Sequence, residues 1–200
     1  MEHFYKSITG WAAFEQLYFD AVARAPSDTP STFVEVGAWL GRSAALMAVE
    51  IENSKKPITF FAVDPWTDGG PDLRNTDHFK KLERPPYELF LENTRPVQHL
   101  IKPLRMNSIE ASAQIQDGTV DFLMLDGDHS YEAVKADISA WLPKMRKGGV
   151  ISGDDYLWPG VTDAVKEAFG ISAEHHVKKW PPEGVKDGYL KSASYWWVQL

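Results

Sequence analysis

The sequence predicts an α/β fold: a doubly wound, mostly parallel seven-stranded sheet with an antiparallel C-terminal strand. Three observations predict it. Short β-rich runs alternate with segments of helical periodicity along most of the chain. Several of those runs end in glycine or carboxylate turns, where open α/β sheets meet their ligands. The last two runs, His176–Trp180 and Tyr195–Gln199, have no helical pattern between them, which predicts an antiparallel pair. Together these describe a Rossmann-like architecture, and 200 residues fit a single domain spanning the chain.

Each element has its own signal. Residues 7–25 place Ile8, Trp11, Ala12, Phe14, Leu17, Tyr18, Ala21 and Val22 at helical spacing, predicting an N-terminal helix within residues 1–26. Thr32–Val36 reads as a strand, followed by a turn at Gly37 and a helix to about Glu52. Ile58–Val63 is a second, buried strand. Residues 65–86 are rich in Pro, Gly, Asp and Arg and form the longest irregular stretch, expected to be a lid bordering an acceptor pocket. Beyond it, Tyr87–Asn93 is helical and Leu100–Leu104 extended; Ser108–Ile115 is helical and Asp121–Leu125 extended. A helix over Tyr131–Leu142, a turn and strand over Gly148–Ser152 and a helix over Val161–Phe169 complete the alternation.

Composition narrows the function classes. There is no cysteine, hence no disulfide framework and no thiolate metal site, which suits a reducing cytoplasm. No stretch approaches the roughly 18 uninterrupted apolar residues of a membrane span. The opening MEHFYKSITG lacks the basic and apolar regions of a signal peptide, so a cytoplasmic protein is expected. A net charge of -7 without a Lys/Arg cluster argues against bulk nucleic acid and for a small-molecule partner. A homo-oligomer is compatible with all of this.

Three motifs carry chemistry. In Phe33-Val-Glu35-Val-Gly37-Ala38-Trp-Leu-Gly41-Arg-Ser43 a strand enters a glycine turn and then a helix. The spacing is neither G-x-G-x-x-G nor a P-loop, and Glu35, two positions before the first glycine, suits a cationic ligand. S-adenosylmethionine, with its sulfonium and ammonium, fits; a tight strand-to-helix turn is the plain alternative. In Phe60-Phe-Ala-Val-Asp64-Pro-Trp66, Asp64 lies at the tip of the second strand, 27 residues after Gly37, where a carboxylate grips a ribose diol. Trp66 is open to two roles, stacking on adenine or filling the core.

The third motif joins Asp126-Gly-Asp128-His129-Ser130-Tyr131-Glu132 to Gly153-Asp154-Asp155-Tyr156. If the two strands that end here are neighbours, their tips lie about 5 Å apart and Asp126, Asp154 and Asp155 converge. Like charges raise each other's pKa, and a hard dication resolves the conflict, with Mg²⁺, Mn²⁺ and Ca²⁺ suited to an all-oxygen set.

The stretch LDGDHSYEAVKADISAWLPKMRKGGVISGDDY resembles class I methyltransferases that act on sugar hydroxyls in antibiotic biosynthesis, among them the macrolide and aminocoumarin O-methyltransferases and relatives of the cephalosporin hydroxylase family. EVGAWLGRS, FAVDPW, MNSIEA and PGVTDAVKEAF extend the resemblance over roughly residues 32–170. It implies S-adenosylmethionine and a divalent cation, Mg²⁺ first, as cofactors. It further implies that Asp126, Asp154 and Asp155 hold the metal and that Asp128 is the general base. Glu35, Gly37, Asp64, Ser108 and His129 would line the cofactor site, with Ala38, Gly41, Ser43, Trp66 and Asp126 beside them.

The resulting expectation is an O-methyltransferase acting on a hydroxyl of a sugar, glycoside or related small molecule. A catechol-type enzyme with a phenolic acceptor is a second reading. Asp126-Gly-Asp128 is also a D-x-D, the metal and nucleotide-sugar motif of glycosyltransferases, although that leaves Asp154-Asp155 and the glycine turn unexplained. A cofactor-binding subunit without catalysis is a fourth.

Overall fold

The computed structural model describes residues 1–67, 80, 82–170, 173–179 and 192–200. Among them, seven strands form one sheet: β1 (Ser31–Val36), β2 (Ile58–Val63), β3 (Ile101–Leu104), β4 (Val120–Leu125), β5 (Met145–Asp154), β6 (Glu174–Lys179) and β7 (Ser192–Gln199). Their order is β3-β2-β1-β4-β5-β7-β6. The pairings from β3 through β5 are parallel, and β7 runs antiparallel to both β5 and β6. Helices α1 (Glu15–Arg24), α2 (Arg42–Ser54), α3 (Pro86–Thr94), α4 (Ser108–Ala113), α5 (Tyr131–Trp141) and α6 (Pro159–Phe169) cover the two faces.

The strand period of two divides the core. Phe33, Phe122 and Met124 point to one face and pack with Tyr18 of α1 and Leu46 and Met47 of α2. Val34, Val36, Leu123 and Leu125 point to the other and pack with Val134, Ile138 and Trp141 of α5 and Val165 of α6. Apolar side chains thus occupy both faces of β1 and β4, as a sheet wrapped on both sides requires.

Three boundaries differ from expectation for local reasons. Helix α1 begins at Glu15 rather than near residue 7. Before it come a 3-10 turn over Tyr5–Ser7 and Gly10, whose φ of +135° no helix accommodates. Ile8 and Phe14 are buried without being helical, and Arg42 holds the segment by donating from Nη1 to the Ile8 carbonyl at 2.8 Å. Strand β5 begins at Met145, with a register shift opposite β4 that takes up Gly148 and Gly149. Strand β6 begins at Glu174, and Trp180 lies outside the described residues. Most of the 65–86 stretch, residues 68–79 and 81, also lies outside them, and with it the expected lid. No helix among the described residues is long and apolar enough to cross a membrane.

The order reverses between β1 and β4, which creates a crevice at their carboxyl ends. There the Asp126 N–H donates to the Val36 carbonyl at 2.8 Å, and Gly37 follows with a φ of +92°. A Cβ on Gly37 would lie 1.9 Å from the Asp126 carbonyl oxygen. Gly37→Ala is therefore expected to cost about 3 kcal/mol or more, from backbone overlap added to left-handed strain. Gly118, at φ +69° with nothing within 4 Å of an added Cβ, is the control. Its replacement by alanine should cost about 1 kcal/mol from φ strain alone. Urea midpoints of the two variants measure the difference.

Candidate active site

Glycine turn and second-strand carboxylate form one hydrogen-bonded unit. Gly37 N–H and Ala38 N–H donate to the Val63 carbonyl at 2.9 and 3.4 Å, and Gly41 N–H to the Ala38 carbonyl at 2.8 Å. Trp39 N–H donates to Asp64 Oδ2 at 2.8 Å and Trp66 N–H to Asp64 Oδ1 at 2.6 Å. These N–H groups are satisfied within the protein, so the glycines serve the turn and its packing. Gly41 is the clearest case: at φ +87°, an added Cβ would lie 2.6 Å from Thr94 Cγ2 of α3. Asp64 keeps spare lone pairs for ligand hydroxyls, since each carboxylate oxygen accepts more than one bond. Burial raises its pKa above the ordinary carboxylate value, and the two N–H donors oppose that shift.

Trp66 is 3% exposed, with its ring against Tyr87 and Phe90 and its Nε1 donating to the Trp39 carbonyl at 2.6 Å. Of its two possible roles, packing is the one these surroundings supply. Ala38 is buried too.

Glu35 is fully buried on β1. Ser43 Oγ donates to its Oε1, and the buried Tyr18 hydroxyl stands beside the same carboxylate. Burial pushes its pKa up to about 8, the Ser43 hydroxyl opposes the shift, and the nearby Asp126 charge adds to it. A fully buried carboxylate fits a cationic group, as the sequence predicts for this position.

At the ends of β4 and β5, Asp126, His129 and Asp155 each offer a ligand atom, all within 4.8 Å of one another. His129 Nε2 lies 3.2 Å from Asp155 Oδ2 and 3.6 Å from Asp126 Oδ1. Asp155 sits at φ +51°, a left-handed conformation that turns it away from the line of β5. The expected trio was Asp126, Asp154 and Asp155. Asp154 lies outside the convergent group, because it still belongs to the strand, where it pairs with Tyr195 and is 8% exposed. Its Oδ1 is buried without a hydrogen-bond partner, and burial raises its pKa strongly, with the Asp126 and Asp155 charges adding. His129, expected to line the cofactor site, stands with Asp126 and Asp155. Two carboxylates and an imidazole, backed by a third buried carboxyl, fit a divalent cation.

Asp128 accepts the Ser130 N–H on Oδ1 at 2.8 Å, and its charge acts on Asp137. Asp128, His129, Asp137 and Asp154 border one small internal cavity. Ser108, at the start of α4, accepts from Trp141 Nε1 at 2.9 Å and is hydrogen-bonded to Asp137. Asp137 is the residue that sequence reading missed. It is 8% exposed on α5, and burial pushes its pKa up to about 6. Its position three residues after Val134 and four before Trp141, both buried, was the available signal.

Residues 34–156 match a family model described as a methyltransferase domain, which covers more than half of the chain. The chain belongs to this methyltransferase family. Its fold is the Rossmann-like methyltransferase fold. An uncharacterised protein of Sinorhizobium fredii is 27% identical over 142 residues, 71% of this chain and 14% of that protein. An uncharacterised protein of Acanthamoeba polyphaga mimivirus is 28% identical over 155 residues, 76% of this chain and 63% of that protein. The methyltransferase thus spans less than two thirds of either relative. Among solved structures, the O-methyltransferase NovP aligns over 93% of this chain and 79% of its own, with TM-score 0.61 and 20% identity. A Thermotoga maritima S-adenosylmethionine-dependent O-methyltransferase aligns over 96% of this chain and 67% of its own, with TM-score 0.61 and 11% identity. Precorrin 8W decarboxylase of Methanobacterium thermoautotrophicum aligns over 98% and 95%, with TM-score 0.61 and 14% identity. These likenesses establish the fold, which hosts more than one chemistry.

The Glu35 carboxylate sets a pH test of the ligand-free methyltransferase. A carboxyl whose folded pKa is raised binds its proton more tightly in the folded state, so its contribution to stability falls between the unfolded value and about 8. Glu35→Gln removes that penalty. It should melt above the wild type at pH 8.5, with the gap closing toward pH 5, while its affinity for S-adenosylhomocysteine falls. Differential scanning calorimetry at the two pH values, with ligand titration beside it, checks both signs.

Proposed function

We propose that this methyltransferase transfers the methyl group of S-adenosylmethionine to a hydroxyl of a sugar, glycoside or related small molecule, assisted by a divalent cation. The observation that carries the proposal is the convergence of Asp126, His129 and Asp155 at the ends of β4 and β5. The buried Glu35 carboxylate supports the cofactor assignment, because the amino-acid end of S-adenosylmethionine offers an ammonium to offset its charge. Asp64 is assigned the ribose hydroxyls.

Methyl transfer to oxygen is a displacement at carbon, and it quickens as the acceptor oxygen gains negative charge. A carboxylate, with an ordinary pKa near 4, cannot deprotonate an alcohol unaided. Bound Mg²⁺ or Mn²⁺ supplies Lewis acidity at the acceptor hydroxyl. Asp126, Asp155 and His129 are assigned to hold that ion, with Asp154 behind them. Asp128, on the same turn and oriented by the Ser130 N–H, is assigned the acceptor proton.

Asp64→Ala is expected to weaken S-adenosylhomocysteine binding by about 1–3 kcal/mol in calorimetry, the range for a charge-assisted hydrogen bond. A UDP-sugar that bound in place of S-adenosylhomocysteine would restore the D-x-D glycosyltransferase reading.

On an acceptor found by screening, excess EDTA should abolish activity, and Asp155→Ala should lower metal affinity and turnover together, with partial rescue at high metal. Asp128→Asn should cut turnover by about 10²-fold or more with cofactor and metal binding kept. Full turnover in Asp128→Asn would overturn its assignment as the proton acceptor.

A further inference from the structure

The loop that leaves Asp155 carries two large apolar residues to the surface: Leu157 is 50% exposed and Trp158 is 39% exposed. That exposure contrasts with Trp66, Trp141 and Trp196, which are 3%, 0% and 1% exposed. Nor does the loop simply fray. Leu157 N–H donates to Ser194 Oγ at 2.9 Å, Trp158 N–H to the Asp155 carbonyl at 2.9 Å, and Thr162 N–H to the Trp158 carbonyl at 2.9 Å. Thr162 Oγ1 also donates to the Tyr156 carbonyl. Two residues on, the backbone at Gly160 presses against the turn that carries His129. A Cβ there would lie 2.6 Å from both the His129 carbonyl oxygen and the Tyr131 nitrogen.

Trp158 is therefore held in place, and what it is held against is the site. Its indole centroid lies 5.0 Å from the His129 imidazole, with the planes inclined at 41°. His129 in turn lies 3.2 Å from Asp155 and 3.6 Å from Asp126. A fixed, partly uncovered aromatic ring next to convergent polar groups is the composition of a ligand site: apolar surface for affinity, polar groups for orientation. An indole left in water forgoes the burial energy that Trp66, Trp141 and Trp196 obtain. The face of the indole is the negative part of its quadrupole, so it favours a partner that presents weakly positive hydrogens over a flat area. A pyranose ring has such a C–H face and carries its hydroxyls around the rim.

We propose that Trp158, flanked by Leu157, is the platform on which the C–H face of a pyranose ring rests, so that a rim hydroxyl reaches the Asp126–His129–Asp155 group. The inference rests on the O-methyltransferase reading and narrows its acceptor to a glycoside bound by stacking. The indole lies 5.0 Å from the His129 imidazole, so a ring resting on it is a neighbour of the group that His129 joins. A phenolic ring is the competing occupant, because it too can lie on an indole face.

The test uses the full chain with methyl α-L-rhamnopyranoside, methyl α-D-glucopyranoside and methyl β-D-galactopyranoside as probes and catechol as the aromatic competitor. Binding is read by saturation-transfer NMR, with and without S-adenosylhomocysteine. Ring C–H signals from at least one glycoside are expected in the wild type. Trp158→Ala should weaken that binding about tenfold or more, and Trp158→Phe should retain it to within about threefold. Melting temperature and S-adenosylhomocysteine affinity should stay at wild-type values in both variants, which separates a lost platform from a damaged fold. The proposal is overturned if no glycoside binds, if Trp158→Ala binds glycoside as the wild type does, or if catechol alone binds in a Trp158-dependent way. Failure of S-adenosylhomocysteine to bind the wild type would remove the methyltransferase reading beneath. The platform would then stand or fall on the glycoside signal measured without it.

Discussion

The contact on which the site depends is the close crossing of β1 and β4 at their carboxyl ends. Val36 accepts the Asp126 N–H, and Gly37 passes so near the Asp126 carbonyl that a single added carbon would overlap it. The crossing fixes three things together. It starts the turn that leads into α2 and carries Trp39 to Asp64. It sets the height at which Asp126 leaves the sheet, and it brings the Glu35 charge within reach of Asp126. In this turn, glycine is required first by the neighbouring strand. The N–H groups that might have faced a ligand are already bonded to Val63, Ala38 and Asp64.

Around that crossing the protein gathers negative charge in places where water is scarce. Burial raises the pKa values of Glu35, Asp64, Asp126 and Asp154, and the Asp126 charge adds to the shifts of the other three. Such a cluster destabilises the fold unless protons or cations compensate it. His129 supplies one partial remedy inside the protein, standing between Asp126 and Asp155. A sulfonium, an ammonium or a dication would each act in the same direction. Cation binding and folding stability are in this way coupled through the same few carboxylates.

The two faces of the site differ in character. Toward β2, Asp64 is tied by two backbone N–H groups, and the tryptophan beside it has gone into the core. Toward β5, Asp155 is turned outward at a left-handed φ, and the tryptophan that follows remains partly in solvent. The same residue type thus has opposite surroundings at the ends of two strands. The difference follows from what lies against each: α3 supplies Tyr87 and Phe90 to cover Trp66, whereas Trp158, at the start of α6, lies against the His129 ring and stays 39% exposed.

Much of this was legible in the amino-acid order because it rests on local signals. Alternation of β-rich runs with helical periodicity gave the mostly parallel sheet and its antiparallel end, and the spacing of glycines and acids marked the ends of β1, β2, β4 and β5. What local pattern could not specify was direction. Ile8 and Phe14 follow a helical spacing and are buried, yet Gly10 breaks the helix, since burial constrains where a side chain ends and not the backbone path that takes it there. Asp154 and Asp155 are adjacent in sequence, and a turn of the backbone between them decides which joins Asp126. Asp137 belongs to no motif in the amino-acid order, and its partner Ser108 comes from a different helix. The sequence by itself determined the order of the elements and the chemical types at their ends, because those are properties of neighbouring residues. Tertiary structure alone decided which of those groups meet, because that depends on φ at single positions and on which strand lies beside which.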